Sequence, residues 1–200
     1  RFNQLLLIES VIFSVKSIVN SFETLMADKT PLIQFTLFIM KSNIINNDYL
    51  FSNFLLLIEE ASTYFDYDEK IYCEIILFLL NQIDLRMDSK NQEIYIQLDT
   101  AVLLSVCESS DDIYINDLWQ KMLYIYNKYY AKFNEISLYN LTESICSSLI
   151  MKDHAINNNY IIEDNDNNII KDDNKNLIVS NNQLINSFTK IIELPLIRIK

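Results

Sequence analysis

A 200-residue chain in which half the residues are hydrophobic can bury a sizeable core, which excludes disorder throughout and suits one domain or an array of several repeats. It has no Gly and only Pro31 and Pro195, so glycine-dependent β-hairpins and phosphate-cradling glycine loops are excluded and an all-α fold is favoured. A net charge of −11 argues against gripping a nucleic-acid backbone, which calls for a basic stripe, and favours a basic protein partner.

In the first segment, Leu5, Ile8, Ile12, Val15 and Val19 recur at helical spacing while Glu9 and Lys16 fall mostly off that face, which predicts a helix over 2–19. Pro31 can open the next helix, because its missing N–H would be unpaired there anyway, and Leu32, Phe35, Leu37 and Phe38 carry it to about Lys41. Asn47 and Asp48 offer cap chemistry for a helix beginning at Tyr49, whose inner face is Leu50, Phe54, Leu57, Ala61 and Tyr64. After the acidic turn Asp66-Tyr67-Asp68, Ile71, Ile75, Phe78, Leu79 and Ile83 mark a second helix with a narrow polar stripe of Lys70, Glu74, Asn81 and Asp84. The two form an αα-hairpin that needs similar units on either side to bury its apolar faces.

Arg86 to Glu93 is expected as a charged loop. Ile94 to Cys107 is expected as a helix with Ile96, Ala101, Leu104 and Cys107 inside. From about Ile115 to Lys132, Leu118, Trp119, Met122, Ile125, Tyr126 and Tyr129 should point inward, with Asp117, Lys121, Tyr124 and Lys128 on a polar line. Ser137 is expected to cap a helix with Leu141, Ile145 and Leu149 on one face, and Gln183 to Leu194 should form the last helix, ended by Pro195. Between these lies an Asn/Asp-rich tract, about 155–182, whose apolar islands are too short to dock, so it is expected as a disordered insert.

The first helices of successive pairs start near Asn3, Asp48, Ile94 and Ser137, about 45, 46 and 43 residues apart. That period lies in the HEAT and armadillo range, and two helices per unit favours HEAT. The expected architecture over 1–200 is therefore an α-solenoid of four HEAT-like antiparallel helix pairs, about 2–41, 48–85, 94–132 and 137–194.

Several pieces fall in an order that resembles a known family. Glu9-Ser10-Val11-Ile12-Phe13 is followed by Ser17-Ile18 in one helix, Pro31 opens the next, Ala101, Leu104 and Val106-Cys107 share a later helix, and Leu194-Pro195 stands near a helix end. Together they resemble the middle HEAT segment of an importin-β (karyopherin-β) type nuclear transport receptor, of the transportin-SR and importin-thirteen branch. The resemblance implies nucleocytoplasmic import of a protein cargo, basic or of SR type, held inside a superhelix under Ran-GTP control. Ran-GTP would be bound by repeats outside this segment, with nucleoporins as further partners and cytoplasm and nucleus as the location.

No enzyme chemistry is expected. His154, beside Asp153 and near Ser147 and Ser148, is the only His and reads as a solvated loop residue without the geometry of a base and its orienter. The carboxylates Glu59, Glu60, Asp66, Asp68 and Glu69 lack calcium-loop spacing and read as a solvated turn, and Asn140-Leu141-Thr142 as a chance sequon. Trp119, Tyr124, Tyr126, Tyr129 and Tyr130 suit core packing better than base stacking. Cys73, Cys107 and Cys146, odd in number and set in apolar helical runs, are expected as buried, reduced thiols with no metal site or cofactor. No apolar run reaches the roughly 18 residues that span a bilayer, and the start at Arg1 without a signal layout is expected of a piece of a longer soluble protein.

The candidate functional feature is therefore a surface. In a HEAT array the second helix of each pair generally lines the concave side, which puts Glu74, Asn81, Asp84, Asp117, Lys121, Tyr124 and Lys128 toward cargo. Acidic groups there would steer a basic partner. The competing expectation is a structural HEAT scaffold or adaptor for a multiprotein assembly.

Overall fold

The computed structural model describes residues 2–21, 29–65, 68–89, 92–109 and 118–159. These residues are all-helical, with no strand among them: α1 Phe2–Ser21, α2 Thr30–Met40, α3 Asp48–Glu60, α4 Ser62–Phe65, α5 Glu69–Met87, α6 Glu93–Glu108, α7 Leu118–Tyr129 and α8 Glu135–Asn159, with a 3₁₀ turn at Asn43–Asn46. The chain divides into two compact units, Arg1–Ala155 and Ile156–Lys200. The expected helix at 183–194 and the expected insert beyond Asn159 lie outside the described residues.

Local chemistry explains several helix starts. Asn47 has an extended backbone and its side chain accepts from Leu50 N at 3.1 Å, while Asp68 does the same for α5, accepting from Lys70 N at 2.9 Å and Ile71 N at 3.4 Å. Pro31 sits in the first turn of α2, where no N–H is missed. The helix expected to run from Tyr49 to Tyr64 is broken at Ala61, whose N–H still reaches the Leu57 carbonyl before the single turn α4 restarts the chain.

Three boundaries differ from the sequence reading. Arg86 and Met87 belong to α5 and are buried, so the loop expected over 86–93 is shorter. The cap of α8 is Asn134, whose side-chain oxygen accepts from Ser137 N at 2.8 Å, and Ser137 lies inside the first turn, buried. The backbone of α8 also continues to Asn159, through the first residues of the stretch expected to be an insert. Replacing Asn134 by Ala should cost about 1 kcal/mol, whereas Ser137→Ala should cost less because no cap is lost, and chemical denaturation of both variants separates the two roles.

The core is made where several helices distant in sequence meet. α1 packs on α3, α3 on α6, α5 on α6 and on α7. Leu50, Phe54, Leu57, Ala61 and Tyr64 are all buried as expected, as are Ile75, Phe78, Leu79 and Ile83 of α5 and Leu118, Met122, Ile125, Tyr126 and Tyr129 of α7. Phe54 meets Phe78 edge to face with centroids 5.9 Å apart, and the Tyr72 hydroxyl donates to the Val106 carbonyl at 2.8 Å, tying α5 to α6. By contrast α1 exposes Leu7, Val11 and Phe13, and an apolar groove of about 190 Å³ runs between α1 and α2 along Leu7, Ile8, Val11, Phe35, Phe38 and Ile39.

A recurring separation runs through the side-chain bonds that join helices. Tyr49 donates to Glu9 at a separation of 40, Gln92 to Asp48 at 44, Lys128 to Asp84 at 44, Asn134 to Glu93 at 41, and Asn140 to Thr100 at 40. Two of these links are the same device used twice. Gln92, the cap residue of α6, reaches the first-turn acid of α3 at 3.2 Å, and Asn134, the cap of α8, reaches the first-turn acid of α6 at 3.0 Å. The residue at each helix start thus fixes its own helix against an earlier one, α6 against α3 and α8 against α6.

Candidate functional site: the polar edge of α2, α5 and α7

The polar stripe of α5 faces outward because its opposite side, Tyr72, Ile75, Ile76, Leu79, Leu80 and Ile83, is consumed by packing. It faces the polar line of α7 closely enough to pair with it. The Lys128 ammonium is 2.9 Å from Asp84 Oδ1, Lys132 is 3.0 Å from Asp88 Oδ1, and Lys121 donates to Asn81 Oδ1. At the other flank of α5, Lys41 lies 4.0 Å from Glu74. Of the seven residues singled out from the sequence, Glu74, Asn81, Asp84, Lys121, Tyr124 and Lys128 share this edge, and Asp117 lies outside the described residues.

The aromatics complete it. Lys128 Nζ stands 4.6 Å from the Tyr129 ring centroid and 5.5 Å from that of Tyr124, and Lys132 stands 5.3 Å from Tyr129. The Tyr129 hydroxyl donates toward the Asp84 carbonyl and the Asp88 carboxylate, 3.4 Å from each. Tyr124 is exposed and Tyr129 buried, so one ring offers contact surface and the other anchors the lysines.

The electrostatics follow from these pairs. The hydrogen bond from Lys128 holds the Asp84 carboxyl below its ordinary range, and Lys132 does the same for Asp88. Hydrogen bonding with Tyr129 and then Asp84 holds the Lys128 ammonium above its ordinary range. Much of the acidity read from the stripe is thus neutralised within the edge, and a basic partner meets a lattice of paired charges and one exposed ring. Replacing Lys128 by Met should let the Asp84 carboxyl titrate closer to the usual aspartate range, and carbon-detected NMR of the aspartate side chains reads that return directly. An unchanged Asp84 titration would show that the pair does not persist in solution.

Sequence reasoning missed Lys41, Asp88 and Lys132, which extend the edge, and the buried charges Arg86 and Asp99. A signal for Asp88 and Lys132 was present: they are separated by 44, the same interval as Asp84 to Lys128 and Asp48 to Gln92. No comparable pattern marks Arg86 or Asp99.

Other clusters considered from the sequence carry structural roles. Glu60 lies 3.8 Å from Lys16, and Asp68 caps α5, while Asp66 lies outside the described residues. No three of His, Cys, Asp and Glu come together as metal ligands among the described residues. Of the cysteines expected to be buried, only Cys107 is. Cys73 and Cys146 are half-exposed, because α5 and α8 turn them toward their flanks. Burial pushes the Cys107 thiol up to about 12, beside Ser148 Oγ at 3.9 Å. Alkylation at pH 8 should therefore modify Cys73 and Cys146 at least tenfold faster than Cys107, a rate difference that mass spectrometry of the folded protein would quantify.

Comparison with protein-family models, with curated proteins and with solved structures finds no match to this chain.

Proposed function

We propose that these helix pairs form a HEAT-like solenoid segment that serves as a protein-binding module without chemistry of its own. The observation that carries this reading is the 40–44 residue interval shared by the bonds Tyr49–Glu9, Gln92–Asp48, Lys128–Asp84, Asn134–Glu93 and Asn140–Thr100. Equivalent positions in successive pairs bond to one another, as expected when each repeat touches only its neighbours. The sequence resemblance then makes the module part of an importin-β-type receptor, carrying protein cargo between cytoplasm and nucleus.

The cargo contact on this reading is the edge of Glu74, Asn81, Asp84, Lys121, Tyr124 and Lys128, with Tyr124 as its exposed anchor. Because Asp84 and Lys128 hold each other, charge reversal at Asp84 would break the edge itself. Tyr124→Ala is the cleaner probe. The full-length protein should bind cargo competitively with Ran locked in its GTP form, and Tyr124→Ala should weaken cargo while leaving Ran-GTP unchanged.

The paired charges favour a second reading, a structural scaffold in which this edge holds the repeats in register. Indifference of the full-length protein to Ran-GTP would abandon the receptor and leave the scaffold. Indifference of cargo to Tyr124→Ala, with Ran-GTP still competing, would move the cargo contact off this edge.

A further inference from the structure

Asp99 is fully buried in α6, and neither of its carboxylate oxygens has a hydrogen-bond partner. Such a group is costly to keep in a core. Its position makes the cost informative. The Gln92–Asp48 link sets α3 and α6 in a register of 44 residues, which matches Asp99 to Leu55, and the Asn134–Glu93 link at 41 matches it to Asn140 of α8. Leu55 is fully buried. Where α3 places a leucine and α8 an amide, α6 places an acid.

The neighbouring cation is equally unusual. Arg86, at the end of α5, is buried with its guanidinium 3.6 Å from the Phe51 ring centroid, donates to the Ile45 carbonyl at 3.3 Å and to Gln82 Oε1, and has no acceptor for Nε. It therefore clasps the 3₁₀ turn and α3 from the end of α5, while Asp99 feels its charge without forming an ion pair with it. The charged groups around the two are few. Arg86 is the one charge that Asp99 feels, Arg86 in turn feels Asp99, Asp48 of α3, which already holds Gln92, and Tyr95 of α6, α4 (Ser62–Phe65) brings no charged side chain, and α8 meets this part of α6 through Asn140.

We propose that Asp99 and Arg86 form a protonation-operated pivot between the α3–α5 pair and the α6–α7 pair. With Asp99 protonated, Arg86 stays with Phe51, Gln82 and the Ile45 carbonyl. When Asp99 loses its proton to solvent, the carboxylate accepts the free Nε–H of Arg86, draws α6 toward the end of α5 and loosens the hold on Ile45. The two pairs then tilt, and the far ends of α3 and α6, at Glu59 and Glu108, change separation. The proposal rests on the pair-on-pair packing and is independent of the transport reading.

The test places spin labels at Glu59→Cys and Glu108→Cys, both exposed, in the full protein with Cys73 and Cys146 replaced by Ser, and follows the label separation against pH. Carbon-detected NMR follows Asp99 in parallel. The expected result is a shift on the order of 1–2 Å whose midpoint coincides with the Asp99 titration, above the usual aspartate range. Asp99→Asn should hold the low-pH separation throughout, and Arg86→Lys, which lacks the Nε–H, should titrate at Asp99 with a smaller shift. A separation that ignores the Asp99 titration, or that moves equally in Asp99→Asn, overturns the pivot. Asp99 titrating in the ordinary aspartate range overturns it as well.

Discussion

Replacing Phe54 by Ala is expected to destabilise the fold by about 3–5 kcal/mol. Phe54 is fully buried in α3 and stands edge to face with Phe78 of α5, so truncation removes both the transfer free energy of a ring and an aromatic contact between α3 and α5. The site has little freedom to collapse. Leu50, Phe51, Leu55, Leu57 and Ile58 on the same helix are all buried, and α3 is held between α1 and α6, so the vacated volume persists as a cavity. The control is Phe38→Ala on α2, where the ring is 65% exposed and the change should stay within about 0.5 kcal/mol. Urea unfolding of both variants measures the contrast. A Phe54→Ala effect no larger than that of Phe38→Ala would mean that α3 is not a packed centre of the fold.

How much of this was legible in the sequence depends on what each residue's partners are. The inner faces of α3, α5 and α7 were readable because a helix packed on one side leaves a 3.6-residue apolar stripe, and Leu50, Phe54 and Leu57 or Ile75, Leu79 and Ile83 sit on such stripes. α6 was harder, since it is covered by α3, α5 and α8 at once. Ala101 and Leu104, expected inside, are only partly buried, and Val102, Leu103 and Val106, outside the expected face, are fully buried. A helix enclosed by neighbours has no single stripe for periodicity to find.

The polar edge divides in the same way. Glu74, Asn81 and Asp84 were placed on one stripe by local spacing alone, and Lys121, Tyr124 and Lys128 on another. That the two stripes face each other and cancel was a property of how α5 packs on α7, which a single helix's pattern does not contain. Arg86 and Asp99 were unreadable for a different reason. A charged residue in sequence is ordinarily a solvated one, and only tertiary packing removes the water from these two.

The pH dependence of stability should carry the signature of that packing. Burial raises the Asp99 carboxyl well above the ordinary aspartate range, only partly opposed by Arg86. Between the ordinary aspartate value of about 3.9 and the raised folded value, the unfolded chain has released the proton while the folded chain keeps it. Unfolding then releases a proton, so stability falls as pH rises through this window, by up to roughly 1.4 kcal/mol per pH unit. This is opposite in sign to a salt-bridged carboxylate such as Asp84, whose depressed value adds stability that is lost as pH falls. Asp99→Asn has no proton to lose and should remove the slope. The variant should therefore gain in stability on the parent as pH rises above the ordinary aspartate value and lose that gain as pH falls back through it. Urea midpoints from pH 4 to 8 for both proteins provide the measurement. An Asp99→Asn variant that loses stability relative to the parent as pH rises, or a difference independent of pH, would show that Asp99 is ionised and paired in the folded chain and would remove the basis of the pivot together with this prediction.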